Sequence, residues 1–285
     1  MSYNALQEPI LNSNRTMDAG HSSTQSLSMA IVSFIGTIIM GRLLTRRENN
    51  TDSSNQPTLG ASSLPIPTPA QALALVQSRR SIYPKQFSGR DVPQSIVNDM
   101  LEAARWAPSH KLTESWRFIV FESLDAKMEV ANLLIELYVS SQNQKGRPIV
   151  QAKIDKKPKS AKLSSHIIAI CVATDGTNPF VEEISSVSMA VQNMHLMATA
   201  HGVGAYWSSG GVHGPNSPSK TCVIENPIEL TQFLTKHLPM KGTKVESIMC
   251  LGWMYIGDYY GNAVDGTKKW PGGRRRPIEE NASWV

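Results

Sequence analysis

The stretch HIIAICVATD, residues 166–175, runs apolar without interruption from Ile167 to Ala173. A strand with one solvated face alternates apolar and polar residues, so an unbroken run of this length predicts a strand covered on both faces. Working outward, WRFIVFES (116–123), GAYWSSGG (204–211) and SIMCLGWMYIG (247–257) read as further strands. Between them lie helical patterns. TPAQALALVQSRRS (68–81) opens with Thr68 as N-cap and Pro69 at the first helical position. VPQSIVNDMLEAARWAP (92–108) carries Ile96, Val97, Met100, Leu101 and Ala104 on one face and is stopped by Pro108. AKMEVANLLIELYVSS (126–141) is a helix, and the lysine-rich segment after it reads as a loop. FVEEISSVSMAVQNMHLMATAHG (180–202) is a long helix ended by Gly202, with Ser186, Ala190, Met194 and Met197 near its packing side. A last helix spans about residues 226–237. This alternation predicts α/β or α+β layering around a sheet.

The 285 residues carry a net charge of +5, and the first 60, with four acids and four bases, contribute none of it. Residues 1–26 are expected to be a disordered polar tail. Residues 27–44, LSMAIVSFIGTIIMGRLL, approach the ~17 to 25 residues needed to cross a bilayer. Arg42, Arg46 and Arg47 follow them, which by the positive-inside rule orients what comes next toward the cytoplasm or an organelle's reducing side. A targeting sequence or a surface-lying helix fits the same segment, which would leave an organelle-targeted soluble protein. Residues 45–67, rich in Ser and Pro, read as a linker, leaving 68–285 as the folded domain. Cys171, Cys222 and Cys250 have no C-x-x-C spacing, which argues against a disulfide framework and a zinc site.

Most catalytic signatures are missing. There is no G-x-S-x-G elbow and no P-loop, and GVGAYW lacks the third glycine of a dinucleotide fingerprint. His195 and His201, six apart, do not share a helical face as metal ligands would. What remains is suited to anions and flat rings. SRRS (78–81) places Arg79, Arg80 and a Ser81 hydroxyl at a helix end, where rigid guanidinium forks suit a phosphate and also complement the helix dipole. GGRRRP (272–277) supplies Arg274 and Arg275. Trp207, Ser208 and Ser209, followed by Gly210 and Gly211, form a turn whose amides can approach a ring closely, or an ordinary strand end. The lysines at 153, 156, 157, 159 and 162 read as a solvated face before an anion site. No aromatic residues interleave with the arginines, which argues against nucleic acid.

In this order along the chain, RRS (79–81), APSHKLTESWRFIVF (107–121), GVGAYWSSGG (202–211) and GRRRPIEE (273–280) resemble the nitroreductase family of FMN-dependent oxidoreductases. The HK form of the second motif is most similar to a bacterial small-subunit subgroup. The resemblance covers about residues 70–285. It implies an α+β fold, layered α/β/α, with a mostly antiparallel central sheet, in a homodimer with FMN at the interface. It further implies that Arg79, Arg80, Ser81, Trp207, Ser208, Ser209 and Arg274 or Arg275 hold the flavin, and that Trp106 and His110 reach it from the partner subunit. No side chain is assigned the chemistry, which the flavin N5 would carry. NADH or NADPH would deliver hydride and leave, and a nitroaromatic or quinone would follow in ping-pong fashion. The chain departs from the family at Tyr83, where many members have a cation, with Lys85 the nearest one here, and at Leu112, Glu114 and Ser115. A reductive dehalogenase similar to iodotyrosine deiodinase, which also joins a membrane anchor to such a domain, and a membrane-tethered flavin-binding protein with little turnover are the alternatives. Acceptor choice is expected to depend on lids at 138–163 and 213–220.

Overall fold

The computed structural model describes residues 66–212, 226–238, 247–259 and 271–282. The tail, the apolar segment 27–44, most of the linker and the 213–220 lid lie outside the described residues. Among the described residues no helix is long and apolar enough to cross a membrane. In chain order the elements are α1 (Pro69–Ser78), α2 (Gln94–Arg105), β1 (Trp116–Phe121), α3 (Leu124–Gln144), α4 (Gln151–Leu163), β2 (His166–Thr174), α5 (Phe180–Ala200), β3 (Val203–Ser208), α6 (Ile228–Thr235) and β4 (Ser247–Asp258).

The four strands form one sheet in the order β1-β2-β4-β3, and every neighbouring pair is antiparallel. Strand β2 is central and buried nearly throughout, as its apolar run predicts. Its alternate side chains enter two cores. Ile167, Ala169 and Cys171 face the layer of α3, α4 and α6, while Ile168, Ile170 and Val172 face that of α2 and α5. The sheet is therefore the middle of three layers. Val97, Met100 and Ala104 are the buried face of α2, and the helix stops at Arg105, ahead of Pro108. Helix α5 buries Ser186, Ala190 and Met194, and Gly202 beyond its end adopts φ +70°, the left-handed value that a helix stop requires.

One local expectation fails. The lysine-rich segment is not a loop: residues 151–163 form α4. Its sparse apolar residues and internal Pro158 hide the pattern, but lysine, glutamine and alanine are good helix formers, and Ala161 is buried against the sheet layer. At the start of the domain, Thr68 and Gln71 close a reciprocal capping box. Yet α1 buries none of its residues; Leu73 is 56% exposed and Val76 53%.

Candidate functional site

The chain leaves α1 through Arg79 and is drawn against β3 by a backbone hydrogen bond from the Ile82 N–H to the Ala205 carbonyl at 3.0 Å. Phe87, five residues on, packs on Gly204 and Gly257, where any Cβ would stand under 3 Å from its ring. These contacts fix the two arginines beside the end of the sheet. Arg80 donates from Nε to the Pro271 carbonyl at 2.8 Å and from a terminal nitrogen to the Arg79 carbonyl at 2.8 Å. The C-terminal segment is thereby held against SRRS, and Gly273 permits it: a Cβ there would lie 2.5 Å from the Arg80 guanidinium.

The result is a cleft of about 580 Å³ in which Arg79, Arg80 and Arg275 converge with Val76, Gln192 and Gly273. Among the described residues, none of the three guanidiniums has a carboxylate partner. Burial first, then the charges of Arg275 and Arg80, push the Arg79 pKa below its usual value. Three unneutralised cations in a partly dry cleft suit an anion of charge greater than one. Behind Arg79, on α5, His195 is 6% exposed, and among the described residues its Nδ1 has no hydrogen-bond partner. Burial, reinforced by the Arg79 charge, holds its pKa down at about 4, so it is neutral near pH 7.

Trp207 lies on the same side of the sheet as α5, and its buried Nε1 is also unpartnered among the described residues. Gly252, at φ +141°, lets β4 pass this point, since a Cβ would stand 2.6 Å from that Nε1 and 2.5 Å from the Ser208 carbonyl oxygen. Ser208 points to the other face, into a separate pocket with lysines of α4. Ser81, Ser209 and Arg274 are exposed beside these elements, and Arg276 pairs loosely with Glu280 at 3.9 Å.

Trp106 and His110 do not line the arginine cleft. Trp106 is 65% exposed and donates from Nε1 to Glu102 at 3.1 Å. His110 pairs through Nδ1 with Glu182 of its own chain and borders a shallow pocket of about 270 Å³ that includes Ser109, Val181, Ser185 and Met189. The bend it sits on is unusual. Lys111, Leu112 and Glu114 all have positive φ, a conformation that costs a side-chain-bearing residue about 1 kcal/mol or more. Glu183, buried in the first turn of α5, holds the bend: it accepts from the Thr113 hydroxyl at 2.9 Å and from Asn178 at 3.1 Å. Leu112, where the family resemblance leads one to expect an amide, is 83% exposed.

Sequence reasoning brought out the arginines and the GRRRPIEE segment that carries Gly273, but not Gln192, which reaches the cleft from a distant helix and has no motif of its own.

The description "Nitroreductase family" belongs to a family model that matches residues 76–253. Bacillus subtilis YfhC, provisionally named an NAD(P)H nitroreductase, is 29% identical over 138 residues, 48% of this chain and 69% of that protein. A nitroreductase-like family protein from Bacillus cereus superposes with TM-score 0.51 at 21% identity, covering 78% of this chain and 99% of that one. The FMN-dependent nitroreductase NfnB of Mycobacterium smegmatis, solved in complex with NADPH, gives TM-score 0.50 at 15% identity over 75% of this chain and 97% of its own. The two structures share the fold, and the family model spans most of the folded domain: the chain belongs to the nitroreductase family.

Proposed function

We propose that this protein is an FMN-dependent oxidoreductase that takes electrons from NADH or NADPH and passes them to a small acceptor of the nitroaromatic or quinone class. The observation that carries the reading is the convergence of Arg79, Arg80 and Arg275, with no carboxylate partner among the described residues, which fits the phosphate of FMN in charge. The unpaired Trp207 Nε1 and His195 Nδ1 lie on the α5 side of the sheet, on which Arg79 acts, and Gly273 lets the backbone close over Arg80. NfnB supports the cofactor assignment by name.

When bound, FMN supplies hydride acceptance and donation at its N5. The chain's own residues then bind and orient. Arg79, Arg80 and Arg275 hold the phosphate, Trp207 walls the ring site, and a neutral His195 adds no competing positive charge behind Arg79. A single site used in turn by both substrates agrees with the missing dinucleotide fingerprint.

The assembly belongs to the same proposal. Helix α1 has no buried side, and α5 exposes Val181 and Met189 on one stripe, at 69% and 40%. Two copies pairing through these faces would cover both and let Trp106 and His110 of each approach the other's cofactor. The test uses the purified full-length chain. It should take up FMN in one-to-one ratio and bleach on anaerobic addition of NADH or NADPH, then recover colour with a nitroaromatic or quinone. A chain that binds no FMN would overturn the reading.

A further inference from the structure

Strand β4 changes side within the sheet. Trp253 and Tyr255 belong to the core layer of α3, α4 and α6, and Met254 and Ile256 to that of α2 and α5. Strict alternation would put Cys250 with the second set, yet it lies with the first. The reason is a bulge: the register passes from Ile170 opposite Gly252 to Cys171 opposite Cys250, which leaves Leu251 unopposed. Two cysteines are thereby brought face to face on one side of the central ladder. Both are free thiols with no exposed surface.

The pair is of the close kind. In an antiparallel ladder the N–H and C=O of one residue point the same way, and Cys250 directs both to the Asn226 side chain, at 2.6 and 3.1 Å. Ala173 donates to the Ser115 carbonyl at 2.8 Å on the β1 side, and Cys171, two residues earlier, has its backbone groups on that side as well. The backbones of the two cysteines therefore face away from each other. Such pairs stand with their Cα atoms about 4.5 Å apart, at the short end of what a disulfide spans. The thiols already interact. A hydrogen bond to Cys250, then burial, raises the Cys171 pKa, so Cys171 is the donor in that bond and keeps its proton. Cys250 donates onward from Sγ to the Gly252 carbonyl at 3.5 Å.

We propose that Cys171 and Cys250 are a reversible thiol–disulfide pair, oxidised by hydrogen peroxide to a cross-strand disulfide between β2 and β4. The Cys250 sulfur, as thiolate, attacks one peroxide oxygen; the O–O bond breaks, and the departing oxygen takes up the thiol proton and leaves as water, giving a sulfenic acid. The Cys171 sulfur then attacks the sulfenic sulfur. The S–S bond forms, and the hydroxyl leaves with the Cys171 proton as a second water. The two thiols lose two electrons in all, and the peroxide gains them. Burial makes the first step slow, because the thiolate is the reacting form, and the short span strains the product, which makes it easy to reduce. The pair does not depend on what the arginine cleft binds.

The test uses the full-length chain, purified under reductant and then exposed to hydrogen peroxide. Peptide mapping without reductant should find the Cys171 and Cys250 peptides joined within the monomeric chain while far-ultraviolet circular dichroism is unchanged, and dithiothreitol should separate them. In a Cys222→Ser chain both remaining free thiols should be lost together, whereas Cys171→Ser should leave Cys250 unlinked. The map on the natural sequence decides the question even where a variant fails to fold. Thiols that stay free, separate sulfinic acids, a link to Cys222, disulfides only between chains, or a link that appears only as the dichroism is lost would each overturn the proposal.

Discussion

Arg79 loses water on folding while gaining two neighbouring positive charges, and a bound dianion would relieve both penalties at once. A charge-assisted hydrogen bond is worth about 1.5 to 3 kcal/mol, so Arg79→Ala should raise the FMN dissociation constant on the order of 10- to 100-fold in a fluorescence-quenching titration. His195 makes a stability prediction. Its folded pKa of about 4 lies below the unfolded value of 6.5, so its contribution is complete above pH 6.5 and drains away as pH falls toward 4. The span corresponds to about 3 kcal/mol, and His195→Gln should flatten the acid limb of denaturant-derived stability across that window. His166, buried and shifted in the same direction, will leave part of the slope in place. Gly252→Ala tests the close approach of β4 to Trp207. The positive φ and the 2.5 Å contact it would create with the Ser208 carbonyl should together cost on the order of 3 kcal/mol, read as a lowered Tm.

Among the elements, the bend between α2 and β1 depends most on one distant side chain. Glu183→Ala would strand the Thr113 hydroxyl, leave Asn178 only its 3.4 Å bond to the His110 carbonyl, and remove what holds three left-handed residues, so hydrogen exchange at 109–115 should accelerate at least tenfold while β2 stays protected. The same elements show what a sequence discloses. Strand β2 and helices α2 and α5 were legible because burial leaves a periodic trace: an unbroken apolar run in one, a 3.6-residue spacing in the others. Arg79 and Arg80 were legible because they are adjacent, at a helix end. Helix α4 was hidden because it left almost no apolar trace. Gln192, and the contact of Gly273 with Arg80, were hidden for another reason: they depend on which distant segments meet, and only the folded backbone brings those segments together.

For the whole molecule, Leu73 and Val76 of α1 and Val181 and Met189 of α5 are the exposed apolar residues on which the proposed pairing of two copies rests. If the proposed dimer forms through these faces, Leu73→Glu combined with Met189→Glu should shift the sedimenting species from dimer to monomer and weaken FMN retention together; a dimer unchanged by the pair would overturn this interface. The sheet itself carries a further implication. His166 pairs with Ile256 and Thr174 with Ser247, so the central ladder joins residues about 70 to 90 apart. During synthesis β2 therefore waits, apolar on both faces and lacking β4, until the residues out to Asp258 have been made. The domain should be slow to fold and dependent on chaperones while nascent, and cutting the chain anywhere before Asp258 should leave an insoluble product rather than a smaller working one.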